Sequence, residues 1–450
     1  MAGRSRTGGS RAPWPVLAWL RAARRAARPP CAGTRGTGPG RPETGPPAAR
    51  AAGTVAPGTA PAEARRLAGG VPARGTAVPG CGASGAACQA GQMVMRLGPA
   101  EVDDLARGAA LLGSGGGGQT DLAARVLRRA LAAGPITLLA AEDVDPDGYV
   151  VPVGLVGAVS VFTERLPSGG EWPPVLAATL ERTRVDPAGV IAIEVGGVNG
   201  IVVFVAAAEL GLPVVDADLQ GRALPRLDQM SVAALGEPIT PLAIGDAAGR
   251  ILILDGLSSP ASERVIRSAL SEFGGWAAIA LRPIRVADLA RLTILGSLSR
   301  ALWLGARHAA WHRSADPHEM AAALGARVLV AGRVMEVVRH RATAGFGRGS
   351  VIIRAHRGGG LLRLEMENEY LLALADGRPV ASTPDILCVV DRATGAPVPC
   401  DTVRGGLDVV AFHLPGPAFW WRPPATAAVA PRAFGLDIDP IRLDAPPEEP

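Results

Sequence analysis

The sequence predicts an α/β N-terminal domain with a mixed or parallel sheet, a β-rich C-terminal domain, and a disordered N-terminal extension. Three observations predict this. Between residues 134 and 281 short apolar runs alternate with amphipathic segments of helix length, as in an α/β layer architecture. From residue 327 apolar and polar residues alternate over short runs bounded by turn signals. Residues 1–92 are dominated by Pro, Gly, Ala, Thr and Arg without a period, and such a segment cannot bury enough apolar surface to offset its ordering entropy. The chain therefore divides into 1–92, 93–284 (α/β), 285–422 (helical linker and β-rich domain) and a loose Pro/Ala-rich tail, 423–450. Residues 1–92 are either a disordered extension or lie upstream of a translation start at Met93 or Met95. The second reading is favoured because recognisable order begins abruptly at Met95.

Charge is unevenly placed. The net +5 hides a surplus of +11 in residues 1–92, where 13 arginines face only Glu43 and Glu63. The remainder holds 33 arginines against 39 acids, or −6, so the globular part is mildly acidic and nucleic acid is not the expected partner. The chain has no lysine, which fits coding bias in a GC-rich genome. Its five cysteines include no CxxC pair, which argues against a zinc ribbon and suits a reducing cytoplasm. No apolar run reaches the ~18–20 residues that span a bilayer, so a membrane location is not expected.

The elements follow in order. Pro99–Leu112 has helical spacing, and Gly113–Gly118 then leads into an amphipathic helix, Gln119–Ala133. A glycine loop before a helix either presents N–H groups to an anion or marks a flexible connection or close backbone approach. No Gly-Lys-Ser/Thr follows, so it is not a P-loop. Ile136–Ala140 and Val150–Phe162 read as strands and Trp172–Thr183 as a helix. Val190–Ile193 is a buried strand ending on Glu194, followed by Gly196 and Gly197. Asn199 stands before a helix, Ile201–Leu210, which Gly211 ends. Leu212–Val215 is the next strand, ending on Asp216 and Asp218 before Gly221 and Arg222. Ligands of parallel α/β sheets sit beyond the carboxyl ends of strands. Acids there are poorly explained by packing, since buried carboxylates are costly unless paired or bound. Ile251–Leu254 and Trp276–Leu281 are further strands, with helix Ser262–Phe273 between them and a helical pattern over Val286–Leu324. In the β-rich part, Glu367-Asn368-Glu369 interrupts a strand pattern, as either a solvent-facing bulge or a contribution to an interdomain pocket. Gly345, Phe346, Gly347 and Gly349 form either a hairpin loop or a flap carrying Arg348.

Together, Leu112–Gly118, Glu194–Asn199, Gly211–Asp218 with Gly221-Arg222-Ala223, Gly345–Gly349, Glu367–Glu369 and Pro384-Asp385 resemble the S-methyl thiohydantoin desulfurase family over about 96–420. Where that family usually carries a proline, Val203-Phe204 stand here. The resemblance implies two domains and hydrolytic removal of sulfur from a thiohydantoin or related ring. It also implies association with hydantoinase-type enzymes.

Such chemistry needs an activated water, a stabilised tetrahedral intermediate and a sulfur leaving group. Glu194 is the first candidate base, with Asp216 and Asp218 completing a catalytic set; the bland reading of these acids is backbone bonding and turn capping. Gly115, Gly116, Gly117, Asn199, Arg222, Arg348, Asn368 and Glu369 are the expected substrate-binding residues, and Asn199 is also the expected helix cap. A divalent metal such as zinc is the candidate cofactor, with no ligand set located. His308 and His312 share a helix face but lack an acid to complete a zinc pattern, and read as incidental. The expected partners are a small-molecule substrate, a hydantoinase-type enzyme and a second copy of the chain. The alternative function is a non-catalytic accessory or binding subunit of a hydantoinase-type enzyme.

Overall fold

A computed structural model describes residues 95–311, 316–340 and 347–443. The expectations for residues 1–92, for His312 and for Gly345-Phe346 fall outside these residues.

The first sheet contains, among the described residues, β1 (Met95–Leu97), β2 (Ile136–Leu139), β3 (Tyr149–Gly157), β4 (Pro187–Ala192), β5 (Val214–Asp218), β6 (Leu242–Gly245), β7 (Ile251–Leu254), β8 (Trp276–Ala280), β9 (Ile284–Arg285) and β10 (Ile294–Leu295). Its order is β1-β2-β5-β4-β3-β8-β6-β7, with β9 on β3 and β10 on β5. Strands β2, β5, β4 and β3 run parallel, and the flanking strands are antiparallel, so the sheet is mixed.

The second sheet contains β11 (Arg327–His340), β12 (Arg348–Ala355), β13 (Leu361–Glu367), β14 (Glu369–Ala375), β15 (Arg378–Ser382), β16 (Ile386–Asp391) and β17 (Asp408–Leu414). It is antiparallel, in the order β15-β14-β13-β12-β11-β17-β16. It curls so that β14 comes back to β16.

The helices that position the site are α1 (Val102–Leu112), α2 (Thr120–Ala130), α3 (Val159–Glu164), α4 (Trp172–Thr183), α5 (Asn199–Leu210), α6 (Ser259–Ala269) and α7 (Ser297–His308). Helix α5 is apolar all round and buried except near Ala208 and Glu209, because it lies between the sheet and α1, α2 and α4. Helices α1 and α7 meet backbone to backbone. A Cβ on Gly108 would lie 1.7 Å from the Ala301 carbonyl oxygen, and one on Gly305 the same distance from that of Asp104.

One apolar core joins α1, α2, α4 and α5 to Ile386, Cys388, Phe412 and Leu414 of the second sheet. The sheets therefore share a core as well as a contact line.

The structure departs from the sequence reading at three elements. Inside Val286–Leu324, read as helical, Ile294–Leu295 is extended and pairs with Asp218 and Ala217 as strand β10 of the first sheet. The strand expected to reach Phe162 stops at Gly157, whose φ of +138° breaks the extended run, and α3 follows. A Cβ at Gly157 would sit 2.3 Å from the Gly275 carbonyl oxygen, so β8 packs against the break. The segment read as a loose tail packs over its described part: α8 (Ala425–Val429) and the turn Pro431–Phe434 bury Val429 and Phe434 against Trp420 and Leu371.

Candidate functional site

A cleft of about 500 Å3 opens at the carboxyl ends of β3 and β4, where the strand topology of such sheets places ligands. One side is built by Leu155–Ala158, Ile193 and Glu194, the loop Gln220–Leu227, and Trp276. The other is built by Gly117 and by Asn368 and Glu369 of the second sheet. Asn368 forms the tip between β13 and β14; its φ of +67° lets Glu367 and Glu369 sit opposite one another in a hairpin. The polar interruption of the strand pattern is thus a hairpin tip delivered to the first domain.

The glycine loop is the clamp between the domains. Val198 N–H donates to the Gly117 carbonyl (2.7 Å), Tyr370 N–H to that of Ser114 (2.7 Å) and Cys400 N–H to that of Gly115 (2.8 Å). A Cβ on Gly116 would fall 2.3 Å from Glu369 Oε1, and one on Gly117 2.6 Å from the Gly196 carbonyl oxygen. These glycines make a close backbone approach, the plainer of the two sequence readings. Gly115 and Gly116 line a neighbouring cavity of about 350 Å3, together with Arg348 and the other side of Asn368.

Asn199 is the first residue of α5 and makes no cap bond. Its amide clamps β3: Oδ1 accepts from Leu155 N–H (2.7 Å) and Nδ2 donates to the Leu155 carbonyl (3.1 Å). The same Nδ2 donates to Glu194 Oε1 at 2.7 Å. The expected helix cap is therefore a fixed donor to the candidate base.

Both cleft carboxyls hold their protons unusually tightly. Burial pushes Glu194 from 4.5 to about 8, with the charge of Glu369 adding to the rise and the Asn199 bond opposing it. Burial likewise pushes Glu369 to about 8, opposed by the Asn368 bond and by the Arg222 charge. Asn368 Nδ2 donates to Glu369 Oε1 at 2.6 Å, while Oε2 is buried with no hydrogen-bond partner among the described residues. A protonated Glu369 carries its proton on that second oxygen, since the first accepts from Asn368.

The two aspartates lie elsewhere. Asp216 Oδ1 accepts from Leu298 N–H (2.8 Å) and Ser299 N–H, closing the start of α7, where Gly296 offers no side chain to cap with. Asp218 is buried, and its Oδ2 accepts from Val195 N–H (2.7 Å), Gly221 N–H (2.7 Å) and Gln220 N–H (3.3 Å). Burial raises its pKa to about 7 against those three bonds. Both aspartates are backbone anchors outside the cleft lining.

Arg222 is fully buried and donates to Thr383 Oγ1 and to the carbonyls of Pro384 and Asp385, so it ties the domains together and does not line the cleft. Arg348 pairs with Glu367 at 2.9 Å. Cys388 donates its thiol proton to the Leu111 carbonyl, and burial pushes its pKa up to about 12. Among the described residues no three His, Cys, Asp or Glu side chains converge as a metal-binding set.

Of the expected site residues the structure brings Glu194, Asn199, Gly117, Asn368 and Glu369 into one cleft. Phe162, Gln220, Arg226, Arg267 and Trp276 also line it and were not expected there. The Gly221-Arg222-Ala223 stretch pointed to the loop of Gln220 and Arg226, but Phe162 comes from α3, and Trp276 and Arg267 arrive from β8 and α6, which only the strand order brings alongside β3.

The N-terminal domain of the S-Me-THD-like family matches residues 100–256, and its C-terminal domain matches residues 258–443. That division falls inside the first sheet, since β8, β9 and β10 lie beyond residue 257 and complete it. A crystal structure of a protein from Chromobacterium violaceum is similar across the whole of that chain and 78% of this one, at 26% identity and a TM-score of 0.65. No curated protein matches the sequence. No helix among the described residues is long and apolar enough to cross a membrane.

Proposed function

The chain belongs to the S-Me-THD-like family, and from that premise we propose that its cleft hydrolyses sulfur from a thiohydantoin or a related cyclic thioamide or ureide ring. The observation that supports this best is the pair of carboxyls, Glu194 and Glu369, each pushed to about 8 in one interdomain cleft. Groups poised so close to neutrality exchange protons readily in both directions. At pH 7 about a tenth of Glu194 is ionised on that value, enough to serve as base once substrate is bound.

In this reading ionised Glu194, oriented by Asn199, takes a proton from water as its oxygen attacks the ring carbon bearing sulfur. The carbon becomes tetrahedral and the C–S bond then breaks. The departing sulfur takes a proton from Glu369, which recovers one from the new hydroxyl as that oxygen becomes the ring carbonyl. The proton held by Glu194 passes to the ring nitrogen of an S-methyl substrate or to the sulfur of a thiohydantoin, so that both carboxyls return to their starting state. An S-methyl thiohydantoin plus water gives a hydantoin plus methanethiol, whereas a thiohydantoin gives hydrogen sulfide. Both balance with no oxidant or reductant. Asp218 and Asp216 act as positioning residues: the first holds Val195, next to Glu194, and the second holds α7.

The test is release of thiol or sulfide from a panel of thiohydantoins and S-methyl thiohydantoins by the purified chain. Release that falls at least a hundredfold in Glu194→Gln, with the fold intact, is the expected result. Well-folded protein that releases nothing across the panel would remove the hydrolase reading and leave a binding role.

A further inference from the structure

The walls of the cleft carry information about the ring it accepts; this step rests on the reading of the cleft as a hydantoin-type site. A hydantoin ring with its exocyclic atoms fills ~100 Å3, roughly the share of three or four waters. The cleft holds about 500 Å3, so most of it is left for a substituent. The apolar walls of the cleft include Phe162, Leu227, Met230, Leu270 and Trp276, each no more than 7% exposed.

These walls are held in place. The Phe162 and Trp276 rings lie 6.2 Å apart at 60°. Trp276 Nε1 already donates to the Arg165 carbonyl, and the Arg165 guanidinium lies 4.5 Å from its ring. Trp276 therefore offers a ligand only apolar surface. Leu227 is anchored through its N–H on Glu263 Oε2 at 3.0 Å.

The two guanidiniums that reach the cleft are engaged with protein groups. Arg267 bonds Glu263 Oε1 (2.6 Å) and the Pro225 carbonyl (2.9 Å). Arg226 bonds Asp228, lies 3.8 Å from Glu367 and sits over the Phe434 ring. A carboxylate on the substrate would have to share a guanidinium whose charge is already balanced by Glu263, or by Asp228 and Glu367, in a cleft that already holds two carboxyls. We infer that the site selects rings whose saturated carbon carries a bulky apolar group of aromatic size, and discriminates against rings bearing a carboxylate there.

Sulfur-free hydantoins, which carry no leaving group, test this by titration calorimetry on the full chain. Three are compared: unsubstituted, 5-benzyl and 5-carboxymethyl hydantoin. Each buried methylene is worth about fourfold in affinity, so the benzyl ring is expected to bind roughly 10–100-fold tighter than the unsubstituted one, and the carboxymethyl ring no tighter than it. Phe162→Ala should erase most of that gain while leaving the unsubstituted ring unchanged. Leu227→Ala serves the same purpose should Phe162→Ala melt early. Equal or tighter binding of the carboxymethyl ring would overturn the inference, as would variants that weaken all three rings alike. In either case hydantoin binding itself would still support the functional reading. Failure of all three rings to bind at millimolar concentration would remove both.

Discussion

Replacing Glu194 by Gln tests whether burial alone holds the candidate base near neutrality. Gln keeps the shape and the acceptor for Asn199 Nδ2, a bond of 2.7 Å in the parent, but removes the charge. The folded carboxyl titrates at about 8 against an ordinary 4.5. A folded pKa above the unfolded one means that the native chain binds the proton more tightly. The resulting stability is complete below about pH 4.5 and is lost as pH rises through about 8. At about 1.4 kcal/mol per tenfold, the ceiling is about 5 kcal/mol. Glu194 reaches the cleft, and water there screens it, so about 2 kcal/mol is the expected reading. Urea unfolding at pH 5 and at pH 9 provides the assay. The Gln variant should lose less stability than the parent over that interval, by about that amount, and should be the more stable protein at pH 9. A difference between variant and parent that stays flat from pH 5 to pH 9 would refute the argument, because Glu194 would then titrate as an ordinary surface carboxyl.

Other substitutions separate positioning from chemistry. Asn199→Ala removes the bond that lowers the pKa of Glu194, so the acidic limb of the pH–rate profile should move upward by roughly one unit. Gly116→Ala brings a methyl within 2.3 Å of Glu369 Oε1 and 2.8 Å of its Cγ, so the whole buried side chain must shift. The variant should lose about tenfold or more in turnover and also melt earlier than the parent, about 1–3 kcal/mol less stable. Asp218→Asn weakens an acceptor shared by three backbone N–H groups and should cost about 1–3 kcal/mol in urea unfolding.

The layered first domain was legible because its strands are apolar and short, and its helices have clear stops such as Gly211, which is left-handed at φ +66°. The end of β3 was not legible: Val159 and Phe162 look like strand residues, and only the close packing of Gly157 on β8 turns the chain there. Local sequence placed Glu194 and Asn199 at the mouth of a strand, and the structure keeps both at the cleft. It also suggested Asp216 and Asp218, which have the same strand-end position. What separates these acids is partners remote in sequence. Asp216 finds the start of α7 some eighty residues later, whereas Asp218 reaches back to Val195. Glu369 lies in another domain, and its nearness to Gly116 is a fact of domain docking that no local pattern carries.

That docking explains why two carboxyls can share the cleft. An isolated hairpin tip would leave Glu369 in water and its pKa ordinary. Burial against the glycine loop raises it, and the nearby Arg222 charge limits the rise. Arg222 is itself held by the carbonyls of Pro384 and Asp385 from the second domain. Thus the arginine that fastens the domains together also lowers the proton affinity of the candidate acid, which burial chiefly raises. Ser114 Oγ lies 2.9 Å from the Leu387 carbonyl and 3.1 Å from that of Tyr370, either of which can take its one proton, and it accepts from Leu387 N–H at 3.3 Å across the same junction. Ser114→Ala should therefore disturb the pKa of Glu369 although it touches no substrate, and would appear as a shift in the basic limb of the pH–rate profile. Loss of stability without any such shift would mean that the junction holds the domains but does not tune the site.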